Sequence, residues 1–223
     1  MSFYVIIPAS GSGKRFTGKT PKQFVKIAGK ELIAHTLEKF NSIKGIDSIV
    51  ISAQKIFFDS LIKIIFDNNI KKVTKIVEGG EKRMDSVYNA LMNLNCRKND
   101  FIMIHDAVRP FVGADLIQRL ISETDKFKSV IPGLLMSDTV KRTDKNLIVQ
   151  NTVPRENLYR IQTPQIFRYD ILVKSFEKAY RDNYIGTDEA AIVEYAGYKI
   201  KLIEGEDTNI KVTVKEDLKN FKK

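Results

Sequence analysis

The sequence predicts an α/β fold: one mostly parallel β-sheet with helices on both faces and a β-hairpin arm inserted late in the order. Two observations predict it. Short apolar runs alternate with longer segments of helical period through the first half of the chain. A stretch of strand formers around a polar turn then interrupts that alternation. The length, 223 residues, suits one domain spanning 1–223, with the arm at about 136–160.

Residues 3–8 open the chain as a strand. The run is short and has no basic residue before it, so it reads as a buried strand and not as a signal peptide. Residues 31–41 carry Leu32, Ile33, Leu37 and Phe40 on one helical face. Residues 48–52 are β-branched and read as a strand. Residues 58–66 read as a helix with Leu61, Ile62 and Ile65 inward, and 73–77 as the next strand. A helix over 85–94 places Val87, Leu91 and Leu94 together, and 101–105 is an apolar strand. Residues 114–124 are helical and 129–132 a strand. This order is Rossmann-like. In such sheets ligands bind beyond the carboxyl ends of the strands, which directs attention to the loops 9–23, 78–86 and 106–110.

In the arm, Thr139, Val140, Leu147, Ile148, Val149, Thr152 and Val153 are strand formers, and Asp144-Lys145-Asn146 makes the turn. Two strands alone are marginal in water, so the arm needs a surface to pack on, and a second subunit is the natural one. Helices over 169–180 and 188–195, a strand over 200–203 and a helix over 215–221 complete the order.

The net charge is +10, yet the lysines are scattered and no aromatic residues interleave with them. That pattern argues against a nucleic-acid-binding module and for a general attraction to anions, polyphosphates included. No apolar run approaches the roughly 20 residues that span a bilayer, so no membrane partner is expected. The single cysteine, Cys96, excludes a disulfide framework or a thiolate metal site and suits a reducing, cytoplasmic setting.

The first strand runs into Pro8-Ala9-Ser10-Gly11-Ser12-Gly13-Lys14-Arg15. Small residues let backbone N–H groups approach phosphates, and Lys14 and Arg15 add charge. An ordinary glycine turn is the bland reading; its place after the first strand favours the phosphate role. A formal Walker A match starts at Gly13 and ends in Gly18-Lys19-Thr20, but Pro21 stands where a helix should open. A P-loop kinase or NTPase is therefore a distant alternative. The dinucleotide pattern also fails, since Phe16 stands where its third glycine belongs.

Three further clusters are rich in polar residues. Gly79-Gly80-Glu81-Lys82-Arg83-Met84-Asp85-Ser86 precedes a helix, His105-Asp106-Ala107-Val108-Arg109-Pro110 ends an apolar strand, and Asn209-Ile210-Lys211-Val212-Thr213 lies near the end. Each alone reads as a cap, a strand-end ion pair or an edge strand. With the first loop they form a set, joined by Pro21-Lys22-Gln23-Phe24, Asp138-Thr139, Gln162-Thr163-Pro164-Gln165 and Thr187-Asp188-Glu189-Ala190. That set resembles the 2-C-methyl-D-erythritol 4-phosphate cytidylyltransferases of the non-mevalonate isoprenoid pathway.

The resemblance implies CTP and methylerythritol phosphate as substrates, a divalent metal such as Mg²⁺, and a homodimer joined by an extended β-arm. It implies that Arg15 and Lys22 stabilise charge on the reacting phosphates. Pro8, Ala9, Ser10, Gly11, Ser12, Gly13, Gly79, Gly80, Glu81, Ser86 and Ala107 would bind CTP. Asp106, Arg109, Thr139, Thr187 and Lys211 would form the acceptor pocket, and Arg155 would reach the acceptor phosphate from the neighbouring subunit. The metal would rest mainly on phosphate oxygens and water, with Asp106 as a candidate ligand. Ser10 and Glu81 depart mildly from the family's usual alanine and aspartate. Val108 matches a variant of the close relatives that act on ribitol 5-phosphate, whereas Ser86-Val87 leans toward the methylerythritol enzyme. Nucleotidyl transfer needs no base for an already ionised phosphate, so His105 is expected to be structural.

Overall fold

The computed structural model describes residues 1–11, 20–214 and 216–217. Its elements are β1 (Phe3–Pro8), β2 (Lys26–Ile27), β3 (Lys30–Glu31), α1 (Leu32–Ser42), β4 (Ser48–Ala53), α2 (Phe58–Asp67), β5 (Val73–Glu78), α3 (Arg83–Met92), β6 (Phe101–Ile104), α4 (Ala114–Glu123) and β7 (Ser129–Leu135). They continue with β8 (Val140–Thr143), β9 (Val149–Val153), β10 (Tyr159–Ile161), β11 (Gln165–Arg168), α5 (Tyr169–Arg181), α6 (Glu189–Tyr195) and β12 (Lys201–Glu204).

The α/β reading holds. Strands β6, β1, β4 and β5 form an all-parallel block, and both faces of the sheet are covered. Alternation along each strand divides the core in two. Val5, Ile7, Ile49, Ile51 and Met103 pack with Leu37 and Phe40 of α1, Leu61 of α2 and Leu116 of α4. Ile6, Val50, Ile102 and Ile104 pack with Val87 of α3, Phe176 of α5 and Val193 of α6. A strand apolar on both faces is what a sheet buried between two helical layers requires.

Beyond β6 the order departs from the simple alternation. β11 runs antiparallel between β6 and β7. β10 pairs with the far end of β7 on that same edge, while β12 pairs parallel to β7 on the other. Neither β10 nor β11 stands out in the sequence. Each is short, and a proline lies between them, so no period develops.

Residue-level expectations need correction in α2 and α3. Ile62 is exposed, and Ile64 takes the inward place beside Leu61. The cause is position: α2 covers β5, the end strand of the sheet, so one of its flanks has nothing to cover. α3 begins at Arg83, two residues early, and Asp85 folds back so that its carboxylate accepts from the Lys82 N–H at 3.0 Å. The helix ends at Met92, so Leu94 falls beyond it and is half-buried.

The arm forms as expected. β8 and β9 pair with each other and, among the described residues, with no other strand. Asp144 Oδ1 accepts from the N–H groups of Asn146 and Ile148, closing the turn. Leu147, Ile148 and Val149 at its tip are exposed. The expected helix over 215–221 lies outside the described residues apart from 216–217. No helix among the described residues is long and apolar enough to cross a membrane.

Candidate active site

The carboxyl ends of β1, β4, β5 and β6 open onto a cavity of about 550 Å³, a size suited to a small ligand. Its first wall is the loop after β1. The Ala9 N–H donates to the Ser52 carbonyl at 2.7 Å, and the Ser10 hydroxyl donates to the same oxygen at 3.2 Å. The buried Gln23 amide donates to the carbonyls of Ala9 and Gly11, at 2.7 and 3.1 Å, and Gln54 to that of Ser10 at 3.0 Å. Pinning three successive carbonyls fixes the backbone path through Gly11. Ser12, Gly13 and Arg15 lie outside the described residues, as does all of the Walker A match before Thr20. The backbone after Thr20 does not suit a P-loop: Pro21 is extended, and only a 3₁₀ turn, Lys22–Phe24, comes next.

The second wall is the Gly79-Gly80 turn. A Cβ on Gly79 would lie 1.8 Å from Ser10 Oγ and 2.9 Å from Ser86 Oγ; one on Gly80 would lie 2.2 Å from Asp85 Cβ. Only glycine lets this turn meet both the first loop and α3. The buried Ser86 hydroxyl accepts from the Gly80 N–H at 3.1 Å and donates to the Lys82 carbonyl at 3.1 Å. Glu81, Lys82 and Arg83 carry the wall around the cavity.

The third wall comes after β6. Asp106 stands among three cations: Lys211 Nζ at 2.9 Å, Arg109 Nε at 3.4 Å and Arg83 Nη2 at 3.5 Å. Burial alone would push its carboxyl up, but Arg83, Lys211 and Arg109 together hold it far below the usual carboxylate range. It is a carboxylate at any working pH. Arg83 is braced from behind by Glu189, which accepts from Nη1 with both oxygens at 2.7 and 2.9 Å. Arg109 also donates to the Asn209 carbonyl at 2.7 Å, and Lys22 to that of Val212 at 3.1 Å. Both contacts tie the 209–213 segment across the mouth of the pocket.

His105 sits beneath this wall, fully buried. Its Nε2 meets the Arg109 carbonyl, which can only accept, so Nε2 carries the proton and Nδ1 accepts from the Thr163 hydroxyl. The same hydroxyl accepts from the Asp106 N–H. Burial lowers the His105 pKa to about 4. It is a neutral tether for the Asp106 backbone.

Of the residues singled out from sequence, Pro8, Ala9, Ser10, Gly11, Lys22, Gly80, Glu81, Ser86, Asp106, Ala107 and Lys211 line this one cavity. Gly79 packs beside it, and Arg109 sits behind Asp106. Thr187 is exposed just ahead of α6, outside the lining. Thr139 and Arg155 are exposed on or beside the arm, and the Arg155 guanidinium donates to the Ser137 carbonyl of the same segment. Sequence reasoning missed Gln23, Gln54, Arg83 and Glu189 as site residues. Gln23, Arg83 and Glu189 stand inside the motifs, but nothing local distinguishes a glutamine that clamps a distant loop from a surface one.

Asp106 is a poor candidate metal ligand, because its oxygens already face cations. Among the described residues no three His, Cys, Asp or Glu side chains gather as a cation site. The pocket joins two glycine-containing loops to a cluster of cations and, among the described residues, holds no nucleophile–base pair. That suits a phosphate-rich substrate whose reaction needs positioning and charge neutralisation.

The model of the family described as IspD, 2-C-methyl-D-erythritol 4-phosphate cytidylyltransferase, matches residues 3–222. A Clostridium botulinum protein of that name is 40% identical over 96% of this chain and 93% of its own length. One from Clostridioides difficile is 39% identical over 97% and 90%. Among solved structures, the Francisella tularensis IspD superposes with a TM-score of 0.85 at 35% identity, covering 98% of this chain and 97% of that one. Fold and nearly the full length thus agree, and this chain belongs to the 2-C-methyl-D-erythritol 4-phosphate cytidylyltransferase family of nucleotidyltransferases.

Proposed function

We propose that this chain, acting as one domain with its arm, transfers CMP from CTP to 2-C-methyl-D-erythritol 4-phosphate, giving 4-diphosphocytidyl-2-C-methyl-D-erythritol and pyrophosphate. The observation that carries this reading is the meeting of both glycine turns with the Asp106 cation cluster in one cavity. An acceptor phosphate oxygen attacks the α-phosphorus of CTP, the new O–P bond forms, and the bond to the departing pyrophosphate breaks in line. The acceptor phosphate is already ionised, so no base is required, in keeping with a neutral, buried His105.

Residues 8–13 and 79–81, with Ser86 and Ala107, hold the nucleotide. Arg15 and Lys22 offset charge on the reacting phosphates. Asp106, Arg109, Thr139, Thr187 and Lys211 receive the acceptor. Mg²⁺ supplies further charge neutralisation; the donor set here suits an ion held by the triphosphate and water, not by a protein cage. Arg155 serves the pocket of a second subunit, and the arm makes the homodimer. The exposed tip residues Leu147, Ile148 and Val149 support that assembly, since an isolated hairpin needs a partner surface. A cytoplasmic location belongs to the same reading, because a lone free cysteine suits a reducing compartment.

Ribitol 5-phosphate is the second acceptor to test, because Val108 lines the cavity where the two groups of relatives differ. The experiment is pyrophosphate release from CTP and Mg²⁺ with each polyol phosphate. Release with methylerythritol phosphate alone supports the reading. Release with ribitol phosphate alone moves the acceptor and keeps the chemistry, and release with neither overturns both.

A further inference from the structure

Glu189 lies far from the glycine loops in sequence and is fully buried at the start of α6. A buried carboxylate is costly unless it is paired, and this one has both oxygens on Arg83 Nη1. The other terminal nitrogen of Arg83, Nη2, faces Asp106 at 3.5 Å. The guanidinium is thus held between two carboxylates, closer to Glu189 than to Asp106. Asp106 in turn keeps Lys211 at 2.9 Å. The chain Glu189–Arg83–Asp106–Lys211 runs from the start of α6 to the cavity, and Arg83, Asp106 and Lys211 line it while Glu189 does not.

We infer that Glu189 is a positioning residue for acceptor binding: it restrains Arg83 so that Asp106 keeps its geometry with Lys211. The reasoning is electrostatic. With Glu189 charged, Arg83 is shared between Glu189 and Asp106, while Arg109 and Lys211 have Asp106 alone. Removing the Glu189 charge takes from Arg83 the nearer of its two carboxylate partners, 2.7 Å against 3.5 Å for Asp106. Arg83 then closes on Asp106 and competes with Lys211 for its oxygens. The nucleotide side is insulated, because the first loop is held by Gln23 and Gln54 and the second turn by Ser86. Glu189 thus sets the acceptor half of the site and leaves the CTP half alone. This rests on the cytidylyltransferase reading of the pocket.

The test compares wild type with Glu189→Gln, which keeps shape and one acceptor but drops the charge, and Glu189→Asp, which keeps the charge. Steady-state kinetics give acceptor KM and kcat, and calorimetry gives the CTP Kd. The Arg83 side-chain N–H resonance, identified by its loss in Arg83→Lys, reports the clamp without any turnover. The expected result is a folded Glu189→Gln with CTP Kd within twofold, acceptor KM raised at least tenfold, and the slowly exchanging Arg83 signal lost. Glu189→Asp should recover part of the KM. Acceptor KM and kcat within twofold of wild type in folded Glu189→Gln overturn the inference. If Glu189→Gln does not fold, Arg83→Lys, which cannot span both carboxylates, decides instead, and an acceptor KM within twofold of wild type there overturns the inference. A wild type without pyrophosphate release defeats the functional reading instead; the Arg83 resonance then decides alone, and its persistence in Glu189→Gln overturns the inference.

Discussion

Lys211 Nζ lies 2.9 Å from the Asp106 carboxylate, joining the end of β6 to a segment near the end of the chain. Asp106 is nearly buried, while Lys211 is partly open to the cavity. The pair therefore presents a cation to a ligand from a fixed base. Lys211→Ala should reduce kcat/KM for the acceptor by roughly 10- to 100-fold, the range for losing a charged hydrogen bond, with the CTP Kd little changed. Kinetics with either substrate varied checks this; loss of CTP affinity alone would count against the acceptor assignment.

Lys22 lines the same cavity and is tied to the Val212 carbonyl at 3.1 Å. Lys22→Ala and Arg15→Ala should each lower turnover by on the order of a hundredfold or more while leaving the thermal transition near that of wild type. Normal turnover in a folded variant would remove that residue from the reaction.

Gly79 has no room for a methyl group, with Ser10 Oγ 1.8 Å from where a Cβ would stand. Gly79→Ala must push the first loop from the second turn. A displacement of about 1 Å at a reacting centre can cost on the order of a hundredfold in rate. The expected outcome is a folded protein with weakened CTP binding and slow turnover, read by calorimetry and pyrophosphate release.

His105 loses affinity for its proton on folding. Burial lowers its pKa from 6.5 to about 4, outweighing the hydrogen bond to Arg109 and the nearby Asp106 charge. Between these values the unfolded chain binds a proton that the folded chain refuses. Stability present above pH 6.5 is therefore lost as the pH falls toward 4, by up to roughly 3 kcal/mol. Asp106, depressed by its cations, adds a further loss only below the ordinary carboxylate range near pH 4. Urea midpoints from pH 7 to 4 should fall in wild type, and the slope above pH 4 should shrink in His105→Gln.

The arm tip exposes Leu147 and Ile148, with Arg155 outside the lining of its own chain's pocket. Leu147→Asp with Ile148→Asp should convert a dimer to monomer in sedimentation and abolish most turnover. Mixing Arg155→Ala with Lys211→Ala should restore activity, because a mixed dimer contains one intact pocket. A fully active monomer would refute the arm's role.

Much of this protein is legible in sequence because its signals are local. Alternating Val5, Ile6 and Ile7 must be buried on both faces, the spacing of Leu32, Ile33, Leu37 and Phe40 makes one helical stripe, and glycine pairs after strands mark tight backbone. The resemblance adds which of these residues belong to one site. What tertiary structure alone decides are the non-local partnerships. β11 enters antiparallel between β6 and β7, because that place is assigned by pairing and not by composition. Ile62 rather than Ile64 faces outward because α2 covers an end strand. Glu189 reads as an ordinary residue at a helix start until α6 packs and sets it against Arg83. A side chain's chemistry is written in its identity, but its partner depends on which distant segment the fold brings within about 3 Å.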